Sequence, residues 1–167
     1  MLNQAVEDFA VAIVEVVGTI HLEATLLVDL EPEQVYRFWR IPENLPRFMG
    51  CLESATAVDP WRSLWVVRSS ETVLATWYVE LVADTEPVLI AWRSMGTEEV
   101  VPDYSCQVRF STGIAEHGTV EQGTTVHIET MLRLGSVAAQ VLGNSPVQQF
   151  TADLDRFAGL MARGHLG

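Results

Sequence analysis

The chain has 167 residues, 49% of them hydrophobic, and a formal net charge of −12, which fits one domain with a real core and argues against disorder. Its 22 acidic side chains against 10 basic ones leave no basic footprint for nucleic acid or anionic lipid. All ten basic residues are arginine, so a side-chain Schiff base cannot form and the lysine of a phosphate-binding P-loop is missing.

Residues 2–17 place Val6, Phe9, Ala10, Ile13, Val16 and Val17 at helical spacing, with Gln4, Glu7, Asp8 and Glu15 largely elsewhere. The spacing predicts an amphipathic helix, an N-terminal extension over 1–17 ahead of a single domain over 18–167. The run 10–17 is also rich in Val and Ile and fits an extension of the next strand. The segment has no basic n-region, so it does not read as a secretory signal. No run is long and uncharged enough to span a bilayer. Two cysteines, Cys51 and Cys106, are too few for a disulfide framework and point to reduced, half-buried thiols in a cytoplasmic protein.

Residues 19–28 alternate, with Ile20, Leu22, Ala24, Leu26 and Val28 on one face and His21, Glu23 and Thr25 on the other, the pattern of a half-buried strand. Pro32 opens a short helix whose apolar side is Val35, Phe38 and Trp39, and Pro42 stops it. Residues 43–49 predict a second short helical turn, with Leu45, Phe48 and Met49 inward. Strands follow at 52–58, 61–68, 73–83, 88–95, 105–112 and 124–134, joined by short turn-rich links. Period two turns Trp77, Val79 and Leu81 inward, then Ile90, Trp92 and Ser94, then Cys106, Val108 and Phe110, then Val126, Ile128, Thr130 and Leu132. The last helix has the sharpest signals: Ser145 as N-cap, Pro146 in the first turn, and a stripe of Val147, Phe150, Leu154, Phe157, Leu160 and Met161. Arg163 and Gly164 mark its end. A twisted antiparallel sheet wrapped on a terminal helix makes a cup, a shape that suits an apolar guest.

Several segments carry more than periodicity. Val35-Tyr36-Arg37-Phe38-Trp39 is followed by Glu43-Asn44-Leu45-Pro46-Arg47-Phe48-Met49. Trp77, Ile90-Ala91-Trp92-Arg93-Ser94, Val108-Arg109-Phe110 and Gly123-Thr124-Thr125-Val126 come next, and Asp153-Leu154, Arg156-Phe157 and Leu160-Met161 close the order. Over residues 19–163 the chain resembles the bacterial polyketide cyclase/dehydrase-like branch of the START-like or Bet v 1-like (SRPBCC) superfamily. The resemblance implies an α+β helix-grip fold: a seven-stranded antiparallel sheet curved around a long C-terminal helix, with two short helices between strands 1 and 2. It implies a deep cavity for a polyketide- or lipid-like molecule and no obligatory cofactor. It does not imply catalysis, because the superfamily also holds lipid-transfer domains, quinone-binding proteins and members with no known reaction. Two features depart from the pattern: the long segment before Gly18, and a link from Met95 to Tyr104 carrying Glu98 and Glu99. Where that link caps the cavity mouth, access is gated differently.

The residues expected to bind a ligand are Trp77, Trp92, Ser94, Tyr104, Cys106 and Thr130, because an apolar site needs large aromatics with a few polar groups. Tyr36, Arg68 and Ser94 are the candidates, by residue type, for moving a proton or polarising a carbonyl. No metal centre is expected. The alternative is the pair of His-x-Glu segments, His21 with Glu23 and His127 with Glu129, which meet on the outer face if the first and last strands are neighbours; cross-strand ion pairs on a solvated face are the favoured reading of them, because such a face lacks a dry layer of supporting groups behind the ligands. The motifs of serine hydrolases, zinc proteases and nicotinamide enzymes are absent from the sequence. A non-enzymatic lipid or quinone carrier, or a partner-binding module, is the alternative function, with residues 2–17 docking a second copy in a homodimer or another protein. Gly159, inside the terminal helix, reads either as a site of close approach by a sheet tryptophan or the ligand, or as a position of poor helix propensity with no packing role.

Overall fold

Where the apolar residues alternate, the chain is extended. The computed structural model describes residues 10–16, 19–69, 73–96, 103–113, 123–133 and 146–164. Eight strands form one antiparallel sheet: β1 (Ala10–Val16), β2 (Thr19–Val28), β3 (Leu52–Ala57), β4 (Arg62–Ser69), β5 (Val73–Thr85), β6 (Leu89–Met95), β7 (Tyr104–Thr112) and β8 (Thr124–Arg133). Their order is β1-β2-β8-β7-β6-β5-β4-β3. Helix α1 (Pro32–Arg40) and a 3-10 helix (Pro42–Arg47) separate β2 from β3, and helix α2 (Pro146–Ala162) follows β8. This is the helix-grip arrangement.

Residues 10–16 correct the expectation of an N-terminal helix. They form β1 and pair with β2, from Ala10↔Thr25 to Val16↔Thr19. Val11, Ile13, Val14 and Val16 are β-branched and favour extended backbone. Without β1, β2 would present a row of unpaired N–H and C=O groups at the sheet edge. The sheet therefore has the seven expected strands and an eighth. Residues 1–9, the link carrying Glu98 and Glu99, and the Ser145 cap lie outside the described residues.

The pairing of β2 with β8, Leu22 opposite Thr130 and Ala24 opposite Ile128, brings the first and last strands of the cup together. Register shifts at Leu52/Ser54 in β3 and Leu81/Ala83 in β5 add the local twist and bend that bulges impose. At the rim, Gly123 runs close to β2: a Cβ there would stand 2.9 Å from the Val28 carbonyl oxygen. Beside it, fully buried Thr124 donates its hydroxyl to the Leu30 carbonyl at 2.6 Å.

The helices bury the faces their periodicity predicts. Glu31 N–H donates to Gln34 Oε1 at 3.1 Å at the start of α1, and Val35, Tyr36, Phe38 and Trp39 are buried. In α2 the buried residues are Leu154, Phe157, Ala158 and Met161. Phe157 packs on Trp39, Phe48 and Phe38, with ring centroids 5.1, 5.3 and 6.0 Å away. Gly164 ends the helix at φ +67°, a conformation glycine adopts without a Cβ penalty. Gly159 does not fit the expectation of close approach. The nearest atoms to a Cβ there belong to Arg163, at 3.7 Å, which is ordinary contact.

Candidate ligand cavity

A cavity of about 110 Å³ lies between the sheet and α2. Its sheet wall is Leu22 of β2, Leu52 of β3, Trp65 and Val67 of β4, Trp77 of β5, Tyr104 and Cys106 of β7, and Ile128, Thr130 and Leu132 of β8. The opposite wall is Gln149, Phe150, Asp153 and Leu154 of α2, and Trp39, Phe48, Met49 and Cys51 complete the lining. The strand pairing explains why residues distant in sequence meet there: Trp65 is directly opposite Trp77, and Cys106 opposite Thr130. Such a volume is of the order that admits a benzene-sized guest, ~150 Å³ in an engineered apolar cavity, and is below the roughly 300–1,000 Å³ of drug-sized sites.

Of the residues expected to bind a ligand, Trp77, Tyr104, Cys106 and Thr130 line this cavity. Trp92 does not. It is buried behind the wall, 6.3 Å from Trp65 and 6.0 Å from Trp39 between ring centroids, and lines a smaller cleft of about 40 Å³. Ser94 is also off the lining; its hydroxyl oxygen accepts the Tyr104 backbone N–H at 3.1 Å, tying the start of β7 to β6.

The other two catalytic candidates serve the scaffold. The Tyr36 hydroxyl donates to Asp84 Oδ1, while Arg40 Nε donates to Asp84 Oδ2 at 2.8 Å. Burial, then the hydrogen bond to Asp84, pushes the Tyr36 phenol up to about 12. Arg68 is exposed and pairs with Glu53 at 3.2 Å. Neither lines the cavity, because alternation along β4 turns Arg68 away from Trp65 and Val67.

On the outer face, Glu23, His127 and Glu129 converge. His127 Nε2 lies 2.9 Å from Glu23 Oε1 and 3.1 Å from Glu129 Oε1, and its Nδ1 lies 2.9 Å from Thr25 Oγ1. Among the described residues their ligand atoms fall within 4.8 Å of one another, and His21 is not in the group; register sets it opposite Met131. Glu23 and Glu129 face each other directly across β2 and β8, a like-charge pair, and the imidazole bridges them.

The cavity's ionisable groups are Cys51, Tyr104, Cys106 and Asp153. Burial pushes the Cys51 thiol up to about 11 and the Cys106 thiol up to about 12. Burial also raises the Tyr104 phenol well above its ordinary range. These three stay neutral at physiological pH. Asp153 is pushed up to about 6 by burial, against the opposing pull of the Gly50 N–H and Arg156. Its Oδ1 accepts from Gly50 N–H at 2.9 Å and from Arg156 Nη1 at 2.7 Å, and the same Nη1 donates to the Phe48 carbonyl at 3.0 Å. This cluster docks α2 onto the turn after the 3-10 helix.

Sequence reasoning did not list Asp153, Cys51, Trp39 or Trp65 as site residues. Asp153 had a signal: it falls three residues after Phe150 and one before Leu154, at the margin of the apolar stripe. Trp65 had one too, since it alternates with Leu64 and Val66. Trp39 and Phe48 are buried, as the apolar pattern of their segments predicts, and each also gives one edge to the cavity.

No family model matches the chain, and no curated protein does. Solved structures do. DR_A0006 from Deinococcus radiodurans is 28% identical with a TM-score of 0.67, over 86% of this chain and 98% of that one. The di-domain ARO/CYC StfQ from the steffimycin biosynthetic pathway is 16% identical with a TM-score of 0.60, over 86% of this chain and 45% of that one. Ginseng major latex-like protein 151 from Panax ginseng is 10% identical with a TM-score of 0.61, over 88% of this chain and 98% of that one. Among the described residues no helix is long and apolar enough to cross a membrane. With its sheet order, its two short helices after β2 and its terminal helix in the cup, the chain has the START-like, Bet v 1-like helix-grip fold.

Proposed function

We propose that this protein binds a small apolar or aromatic molecule of polyketide or lipid type in the cavity beneath α2. The observation that carries the reading is the lining itself: Trp39, Trp65, Trp77, Phe48 and Phe150 around a space of about 110 Å³, with few polar groups. A folded core normally closes such space, because each unfilled volume forfeits dispersion contacts. Trp77, Tyr104, Cys106 and Thr130 are the proposed contact residues of the sheet wall, and no cofactor is invoked. Likeness of fold to an ARO/CYC protein makes a cyclase- or dehydrase-like activity one use of the cavity. Binding without turnover, as a cytoplasmic lipid or quinone carrier, is the simpler use, because Tyr36, Arg68 and Ser94 are off the lining.

Native mass spectrometry of protein purified from its own host tests the reading. The expected result is a stoichiometric mass adduct that extracts into organic solvent as an apolar compound. Thr130→Phe, which fills the space from β8, should fold and lose the adduct. If neither an adduct nor uptake of any apolar aromatic is seen, ligand binding is refuted. Uptake followed by release of a chemically altered guest would favour the cyclase-like use.

A further inference from the structure

The cavity has one wall group that changes charge near neutrality. Cys51, Tyr104 and Cys106 also line it, but all three hold their protons. Asp153 enters from α2, with its side chain 18% exposed. One of its oxygens is fully engaged: Oδ1 accepts both the Gly50 N–H and Arg156 Nη1. The other, Oδ2, has no hydrogen-bond or ion-pair partner among the described residues. The clamp on Oδ1 fixes the carboxylate and leaves two lone pairs on Oδ2 unused. An open carboxylate oxygen on the cavity wall accepts a charge-assisted hydrogen bond from a guest that carries a donor.

We infer that the guest is an apolar aromatic molecule bearing a neutral hydrogen-bond donor, a phenol-type hydroxyl, which it presents to Asp153 Oδ2 while its ring lies between Trp65, Trp77 and Phe150. This rests on the proposed ligand-binding reading and adds the chemistry of the guest and the residue that orients it. Asp153 here is a positioning residue for binding, with no bond made or broken. Arg156 holds Oδ1, so the donor preference follows the charge of Asp153. The preference is present when Asp153 is a carboxylate and fades as pH falls through about 6, where the protonated acid becomes a donor itself.

The test uses two guests of equal shape, 2-naphthol and 2-methylnaphthalene, whose dissociation constants are measured by equilibrium dialysis against the full chain at pH 7.5 and pH 5. A hydrogen bond to a charged acceptor predicts that the naphthol binds about tenfold or more tightly than its methyl isostere at pH 7.5, beyond their difference in partitioning into octanol. That margin should shrink several-fold at pH 5, and Asp153→Asn should shrink it at pH 7.5, the margin being the ratio of the two guests' dissociation constants within each protein. Equal margins at both pH values in the unmodified chain overturn the inference without needing a variant to fold. A naphthol preference that Asp153→Asn leaves intact overturns it as well, since another group would then hold the hydroxyl. Binding of neither guest by the unmodified chain would overturn the ligand-binding reading together with this one.

Discussion

Phe157→Ala tests whether α2 is part of the core or only a cover over the cup. Phe157 exposes 0% of its surface and is the hub of an aromatic cluster. Trp39, Phe48 and Phe38 surround it at centroid distances of 5.1, 5.3 and 6.0 Å. These rings come from α1 and from the segment after the 3-10 helix, so the cluster ties three parts of the chain together. Truncation removes the ring and leaves a void that buried neighbours cannot fill without leaving their rotamers. Buried Phe→Ala changes cost ~3–5 kcal/mol, and lost aromatic pairs add ~0.5–1.5 kcal/mol each beyond area, so the upper half of that range is expected. Phe150→Ala is the control: Phe150 is partly buried and already borders the cavity, so its removal enlarges an existing space and should cost ~1–2 kcal/mol less. Equilibrium urea denaturation, followed by circular dichroism with the m-values compared, reads both. A Phe157→Ala cost below about 2 kcal/mol, or one no larger than that of Phe150→Ala, would refute the role of this cluster in holding α2.

Three further outcomes are expected. Gly159→Ala should stabilise the protein by about 0.5–1 kcal/mol in the same assay, since the added methyl meets nothing closer than 3.7 Å and the helix gains propensity; destabilisation would contradict this reading of the site. Gly123→Ala should destabilise by about 1–3 kcal/mol, because its Cβ would press on the Val28 carbonyl oxygen at 2.9 Å and that contact is backbone; a neutral thermal shift would contradict it. Asp153 should make stability fall as pH rises. Its folded value of about 6 is above the ordinary 3.8, so between those values the folded state holds a proton that the unfolded state has released, and stability present at pH 4 is lost by pH 6 and above. Two units correspond to a ceiling on the order of 3 kcal/mol. The stability difference between the unmodified chain and Asp153→Asn, measured across that window, should shrink in that direction; a flat or opposite trend would show that Arg156 and Gly50 outweigh burial.

The strands from Thr19 onward were legible because β-branched and aromatic residues alternate there and Gly, Pro and Asp mark the turns. Burial on one face forces that alternation, so a local pattern carries it. The same period correctly turned Trp77, Cys106 and Thr130 inward. Residues 10–16 were ambiguous, since Val and Ile at helical spacing also suit a strand, and the choice was made by the free edge of β2, which no local pattern contains. Ser94 faced the expected way, yet its hydroxyl was taken by the Tyr104 N–H, a partner set by how β6 and β7 meet. Tyr36 and Arg68 had suitable chemistry, and their partners Asp84 and Glu53 came from the packing. Asp153 shows the division most clearly. The sequence by itself determined a carboxylate at the margin of an apolar helix stripe. Only the tertiary structure decided that Gly50 and Arg156 hold one of its oxygens and that burial lifts its proton affinity towards neutrality. A hydrogen bond or a desolvated charge depends on atoms brought within about 3 Å from distant parts of the chain, whereas periodicity is written along the chain itself.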